Sequence, residues 1–152
     1  HPEKLIPLFV TNALLDLPLP VYGNGRNTRD WIHIDDHCAA MFAILAAPGV
    51  EGETLNIGAG NEMSVLEIAD RILDRLGKPK SLLKHVTDRP GHDRRYALDA
   101  SKLLRRTGFK PAIEFEKGIA ATIDWYVANR SWWESVRSGE YRHYYERMYG
   151  AR

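Results

Sequence analysis

The charged loop Asp88-Arg89-Pro90-Gly91-His92-Asp93-Arg94-Arg95 is where side-chain types and spacing point most directly to chemistry. A Pro-Gly turn is rigid at Pro and permissive at Gly, so the side chains that flank it are aimed. Arg89 and His92 flank this one. Together with Lys4 and Arg29 they make a set of cations suited to a diphosphate, for which Arg supplies a planar donor fork and Lys a point charge. The same residues also fit a solvated charged loop with local ion pairs, since most charged side chains stay hydrated.

Two other constellations carry less. His33, Asp35, Asp36 and His37 contain metal-ligating types, but one His falls on an expected strand and the other on an expected helix, unlike the shared helical face of a zincin. Capping and hydrogen bonding account for them better, and no metal site is expected. Gly58-Ala59-Gly60 has the look of a dinucleotide turn, yet Met63 stands where the third Gly belongs and Lys78–Lys80 where an acidic residue would be needed. An ordinary turn is the expectation. No catalytic set is found. Tyr22, Tyr96 and Tyr126 are followed four positions later by Arg26, Ala100 and Arg130, so none forms a Tyr-x-x-x-Lys pair. Nucleophile elbow, P-loop and HExxH are also missing.

The elements that must position these residues alternate between helix and strand, which predicts an α/β arrangement. Helical spacing of Leu5, Ile6, Phe9, Val10 and Ala13 predicts a helix over Pro2–Leu15, with Pro2 and Glu3 in its first turn. Short strands are expected at Val21–Tyr22, Trp31–Ile34, Glu53–Ile57, Leu82–Val86 and Arg95–Leu98. Asp35 or Asp36 is expected to cap an apolar helix, Cys38–Ala47, of ten consecutive uncharged residues. Ten is too few for a bilayer, which takes about 20. Ser64 and Glu67 have capping-box spacing before the stripe Val65, Ile68, Ala69, Ile72, Leu76, and Gly77 is the stop. Asp99 is expected to cap a short helix ending at Gly108. A longer one covers Phe115–Asn129, and Ser131 caps the last. The tyrosine-rich tail from Gly139 is expected to pack onto the domain.

Composition excludes broad classes. With 21 basic and 20 acidic residues and a net charge of +1, nothing points to nucleic acid or to a membrane surface. Cys38 is the single cysteine, which rules out an internal disulfide and suits a reducing cytoplasm. The chain begins His-Pro-Glu-Lys, and is expected to continue a longer protein.

The order PEKLIPL, LPVYGNG, RDWIHIDDH, TLNIGAGNE, DRPGHDRRYALDASK and WYVANRSWW resembles the C-terminal half of the dTDP-glucose 4,6-dehydratase family of extended short-chain dehydrogenase/reductases, from Pro2 to about Trp133. Related epimerases share the RDWIHIDD-like segment, while the DRPGH loop and WYVANRSWW narrow the match. The resemblance implies the substrate-binding portion of such an enzyme without most of its Rossmann domain. It also implies a reaction: bound NAD oxidises the sugar at C4, water leaves across C5–C6 and hydride returns to C6, giving dTDP-4-keto-6-deoxyglucose. The NAD-binding and catalytic residues would lie upstream, so no NAD is expected on this portion alone. The resemblance places substrate contacts at Lys4 and Leu5, at Pro20, Val21 and Tyr22 along the thymine, at Arg29, Asn56 and Arg89 around the diphosphate and ribose, and at the closing loop Asp88, Arg89, Pro90, Gly91 and His92. Residues 1–152 are then the nucleotide-sugar portion, with 35–58 packing on the cofactor domain. The expected partners are a dTDP-sugar, the missing Rossmann domain, and a second copy through an exposed apolar helix. The alternatives are a stand-alone nucleotide-sugar binding module or part of a UDP- or GDP-sugar epimerase or dehydratase.

Overall fold

The computed structural model describes residues 2–137 and 146–148. The tail tyrosines Tyr141, Tyr144, Tyr145 and Tyr149, expected to pack on the domain, lie outside the described residues. The chain is mixed α/β and divides into two units, one made of His1–Arg26, Ser64–His92 and Ala120–Arg152, the other of Asn27–Met63 and Asp93–Ile119.

In the first unit, helix α1 (Leu5–Leu14) is followed by strand β1 (Leu19–Tyr22). The helix starts later than expected. Lys4 is extended (φ −76°, ψ 155°) as its N-cap, so Pro2 and Glu3 precede the first turn and Pro7 occupies it. There a missing N–H costs nothing. The helix ends as the Leu17 amide donates to Asn12 O (2.9 Å) and the Asp16 amide to Ala13 O (3.2 Å), with Asp16 at φ 54°. Helix α3 (Val65–Leu76) carries the expected capping box of Ser64 and Glu67 and ends at Gly77 at φ 62°. A short 3-10 turn (Lys80–Leu82) leads into strand β4 (Leu83–Val86), which pairs parallel with β1. Phe9, Leu19, Val21, Ile68, Ile72, Leu73 and Ile123 are fully buried, and α1 packs against α3 and β1. Helix α6 (Arg130–Arg137) begins one residue before the expected cap Ser131, and its Trp133 is buried.

The second unit holds strand β2 (Thr28–Asp30), helix α2 (Ile34–Ala46) and strand β3 (Glu62–Ser64), with β2 and β3 paired. The expected strand Trp31–Ile34 is displaced upstream because the helix already starts at Ile34. Its cap is His33, whose Nδ1 accepts from the Asp35 amide at 3.3 Å. Asp36 is buried and does other work: its carboxylate accepts from the amides of Ala112 (3.0 Å) and Ile113 (2.9 Å). Glu53–Ile57 forms no strand, and Arg95–Leu98 contributes only the isolated bridge Thr28↔Arg95. Helix α4 (Ser101–Thr107) has Ala100 at its N-cap, with Asp99 Oδ1 accepting from the Ser101 amide at 2.8 Å. Helix α5 (Phe115–Ala128) starts in this unit.

Helix α2 leaves an apolar face uncovered, as expected of an exposed apolar helix. Asp36 and Ala40 are buried, but Ile34, Met41, Phe42 (71% exposed) and Leu45 (80% exposed) are not. Those positions repeat at helical spacing, so α2 shows solvent a continuous apolar stripe. No helix among the described residues is long and apolar enough to cross a membrane.

The two faces of α2 should respond differently to mutation. Asp36→Ala deprives the backbone amides of Ala112 and Ile113 of a charged acceptor and should cost about 1.5–3 kcal/mol in urea unfolding. Phe42→Ala, with nothing to unpack, should stay within about 0.5 kcal/mol. Equal losses would contradict the burial pattern.

Candidate functional site

In the first unit the parallel register Leu19↔Leu83 to Tyr22↔Val86 puts the carboxyl ends of β1 and β4 side by side. The Gly23 amide extends the ladder by donating to Val86 O at 2.9 Å. Tyr22 therefore ends its strand beside the segment that leads into Asp88–His92. Crevices outside the carboxyl ends of parallel strands are where α/β sheets bind ligands.

The loop folds as its sequence dictates. Pro90 and Gly91 take the middle of a turn closed by the His92 amide donating to Arg89 O at 3.3 Å, with Gly91 at φ 69°. Pro followed by a positive-φ Gly is the type II pattern. Asp88 organises the side chains. Its Oδ1 accepts from His92 Nδ1 at 2.7 Å and from the Arg89 amide at 2.9 Å. The His92 hydrogen bond, followed by the Arg89 amide, holds the Asp88 carboxyl below the usual carboxylate range. The His92 side chain is 8% exposed and meets the Tyr22 ring edge-on, centroids 5.9 Å apart. The Arg89 guanidinium lies 5.9 Å from the centroid of the same Tyr22 ring. An aromatic plane, a guanidinium and an imidazole held by a carboxylate are thus gathered in one place. They can stack on a planar base and donate to anionic oxygens.

The other sequence-chosen residues are distributed as follows. Pro20 and Val21 are buried in β1, so their side chains support the strand. Lys4 is the N-cap and Leu5 the first residue of α1, the helix that packs on β1. Arg29 and Asn56 belong to the second unit. Arg29 Nη1 donates to Thr28 O (2.7 Å) and Asp93 O (3.1 Å), and exposed Asn56 donates through Nδ2 to Asp99 O at 3.3 Å.

Two residues near Tyr22 escaped the sequence. Gly23 sits at φ 54°, and a Cβ there would stand 2.9 Å from Asp88 Oδ2. His85 places Nδ1 2.7 Å from Gly23 O, which can only accept, so that nitrogen carries the proton. The contact between Gly23 and His85 joins segments more than sixty residues apart, which no local sequence rule anticipates.

The Gly58-Ala59-Gly60 loop does not fit a dinucleotide. Its amides face the protein's own carboxylate: Asp30 Oδ2 accepts from Ala59 (3.2 Å) and Oδ1 from Asn61 (2.9 Å). A Cβ on Gly58 would lie 2.5 Å from Asp30 Oδ2, so Gly58 serves that close approach. A pyrophosphate would have to displace an anion already in the cradle. Among the described residues no group of His, Cys, Asp or Glu is arranged to hold a metal ion.

A family model described as GDP-mannose 4,6 dehydratase matches residues 1–122. A dTDP-glucose 4,6-dehydratase of Actinoplanes sp. is 52% identical over 132 residues, covering 87% of this chain and 41% of the relative. The structure of DesIV, a dTDP-glucose 4,6-dehydratase from Streptomyces venezuelae, with NAD and TYD bound, superposes with TM-score 0.85 at 49% identity, covering 89% of this chain and 42% of that one. A UDP-glucuronic acid 4-epimerase from Bacillus cereus, in complex with UDP-glucuronic acid and NAD, follows at TM-score 0.79 and 26% identity, over 84% and 41% of the two chains. The chain thus spans about two fifths of the length of the curated relatives it matches.

The Asp88–His92 contact sets a titration. Because the folded-state pKa is depressed, the contact contributes stability at neutral pH and loses it as pH falls through that lowered value. Carboxyl NMR should place the Asp88 midpoint below the ordinary 3.8 and move it upward in His92→Phe. An unmoved midpoint would show that His92 is not the cause. Gly23→Ala should cost about 1–2 kcal/mol from its left-handed backbone alone, and should shift the Asp88 resonance as well.

Proposed function

The chain belongs to the GDP-mannose 4,6 dehydratase family, and from that premise we propose that it is the nucleotide-sugar-binding part of a cytoplasmic dTDP-glucose 4,6-dehydratase. The whole enzyme would convert dTDP-glucose to dTDP-4-keto-6-deoxyglucose and water with NAD. NAD would be held by a part of the enzyme other than these residues, in keeping with the Gly58–Gly60 loop being filled by Asp30.

One observation carries the reading: Tyr22, Asp88, Arg89 and His92 meet at the carboxyl ends of β1 and β4. In this proposal Pro20, Val21 and Tyr22 lie along the base. Pro90 and Gly91 set the turn that aims Arg89 and His92, and Asp88 locks it. Lys4 and Leu5 contribute from the start of α1. In the second unit Arg29 is proposed as a diphosphate-binding cation and Asn56 as a ligand-contacting amide.

The apolar stripe of α2 has a place in the same proposal. Residues 35–58 would pack on the cofactor-binding domain implied by the resemblance, which accounts for Ile34, Met41, Phe42 and Leu45 being exposed. A second copy of the chain is the competing occupant. Light scattering separates them: association that Phe42→Glu abolishes would show that copies of this chain cover the stripe.

Calorimetry with dTDP, UDP and GDP tests the nucleotide assignment. The chain should prefer dTDP, and Arg89→Ala should weaken it by about 1.5–3 kcal/mol, the scale of a charged hydrogen bond. Preference for UDP would move the chain toward the epimerases, and preference for GDP toward a GDP-mannose dehydratase. No binding at millimolar nucleotide would defeat the proposal for the chain on its own.

A further inference from the structure

Tyr96 has no role in any reading above, yet it is built onto the one cation of the second unit assigned to a diphosphate. The Arg29 guanidinium carbon lies 4.5 Å from the centroid of the Tyr96 ring. The Tyr96 hydroxyl donates to Asp93 Oδ2 at 2.5 Å, and the carbonyl of the same Asp93 accepts from Arg29 Nη1 at 3.1 Å. The backbone closes the arrangement. The Thr28 amide donates to Arg94 O at 2.9 Å and the Tyr96 amide to Thr28 O at 3.0 Å, so residues 94–96 run alongside the start of β2. Asn27 Nδ2 adds a further bond to Asp93 O at 3.0 Å.

We propose that Tyr96 is a positioning residue for Arg29: its ring fixes the plane of the guanidinium, while the Asp93 carbonyl holds the guanidinium from the backbone. An arginine side chain has about 2 kcal/mol of rotamer entropy to lose when it grips an anion. A guanidinium already stacked and hydrogen-bonded has lost much of it before the ligand arrives, which favours binding through preorganisation. The structural alternative is a contact that merely stabilises the fold. Tyr96 is 54% exposed, so its removal leaves little core to collapse. The inference rests on the proposal that Arg29 addresses a diphosphate.

A double-mutant cycle on the chain, read as dTDP affinity by calorimetry, tests it. Tyr96→Leu should weaken dTDP about three- to fivefold, the upper part of the range of a surface cation–π contact. Tyr96→Phe keeps the ring and should stay within about twofold of wild type. The double variant Arg29→Ala/Tyr96→Leu should bind no more weakly than Arg29→Ala alone, with unchanged melting temperatures in the Tyr96 variants. Additive losses, equal losses in both Tyr96 variants, or wild-type affinity in Tyr96→Leu beside a weakened Arg29→Ala would overturn the positioning role alone. Wild-type affinity in Arg29→Ala, or no dTDP binding by wild type, would remove the diphosphate reading and this inference with it.

Discussion

The parallel pairing of β1 with β4 is the constraint on which the candidate site depends. Four residue pairs, Leu19↔Leu83 through Tyr22↔Val86, join segments far apart in sequence. Parallel strands end at the same edge, so the residues that follow them become neighbours whatever their own sequences. Tyr22 and the Asp88–His92 loop are the two such segments. A one-residue slip would turn the side chains of β1 to opposite faces and take Leu19 and Val21 out of the core. Burial of those residues, with α1 packed on β1, therefore sets the geometry of the cluster.

Within that frame, close approach replaces mobility. Gly23 lets the backbone pass the Asp88 carboxylate. Asp88 then spends its Oδ1 on His92 and on the Arg89 amide, so the loop is ordered by its own acid. The second unit uses the same device twice. Asp30 fills the Gly58–Gly60 turn, and Asp36 satisfies the amides of Ala112 and Ile113. In each case a carboxylate takes the amides of a loop that has no ladder to join. That is why the HIDDH segment and the glycine turn look like chemistry in one dimension and act as architecture in three.

The sequence was most legible where the determinants are local. The Ser64–Glu67 capping box, the Gly77 stop, the Pro90-Gly91 turn and the α3 stripe all depend on residues within a few positions of one another. It was least legible where partners are distant. Glu53–Ile57 and Arg95–Leu98 have strand-like composition, but strands exist only when neighbours supply hydrogen bonds, and here the second segment gains a single bridge. The cap of α2 was assigned to Asp35 or Asp36 because acids favour helix starts. The pull of two distant amides on Asp36 left the cap to His33. Likewise, no spacing rule could pair Arg29 with Tyr96 across more than sixty residues.

The central claim is that the cluster of Tyr22, Asp88, Arg89 and His92 is where a nucleotide binds. The most direct measurement is an amide NMR titration of the chain with dTDP. The account predicts saturable shifts concentrated at Tyr22, Gly23 and Arg89–His92, with the Tyr22 ring resonances moving as a base stacks on them. Saturable binding that leaves those resonances in place would contradict it.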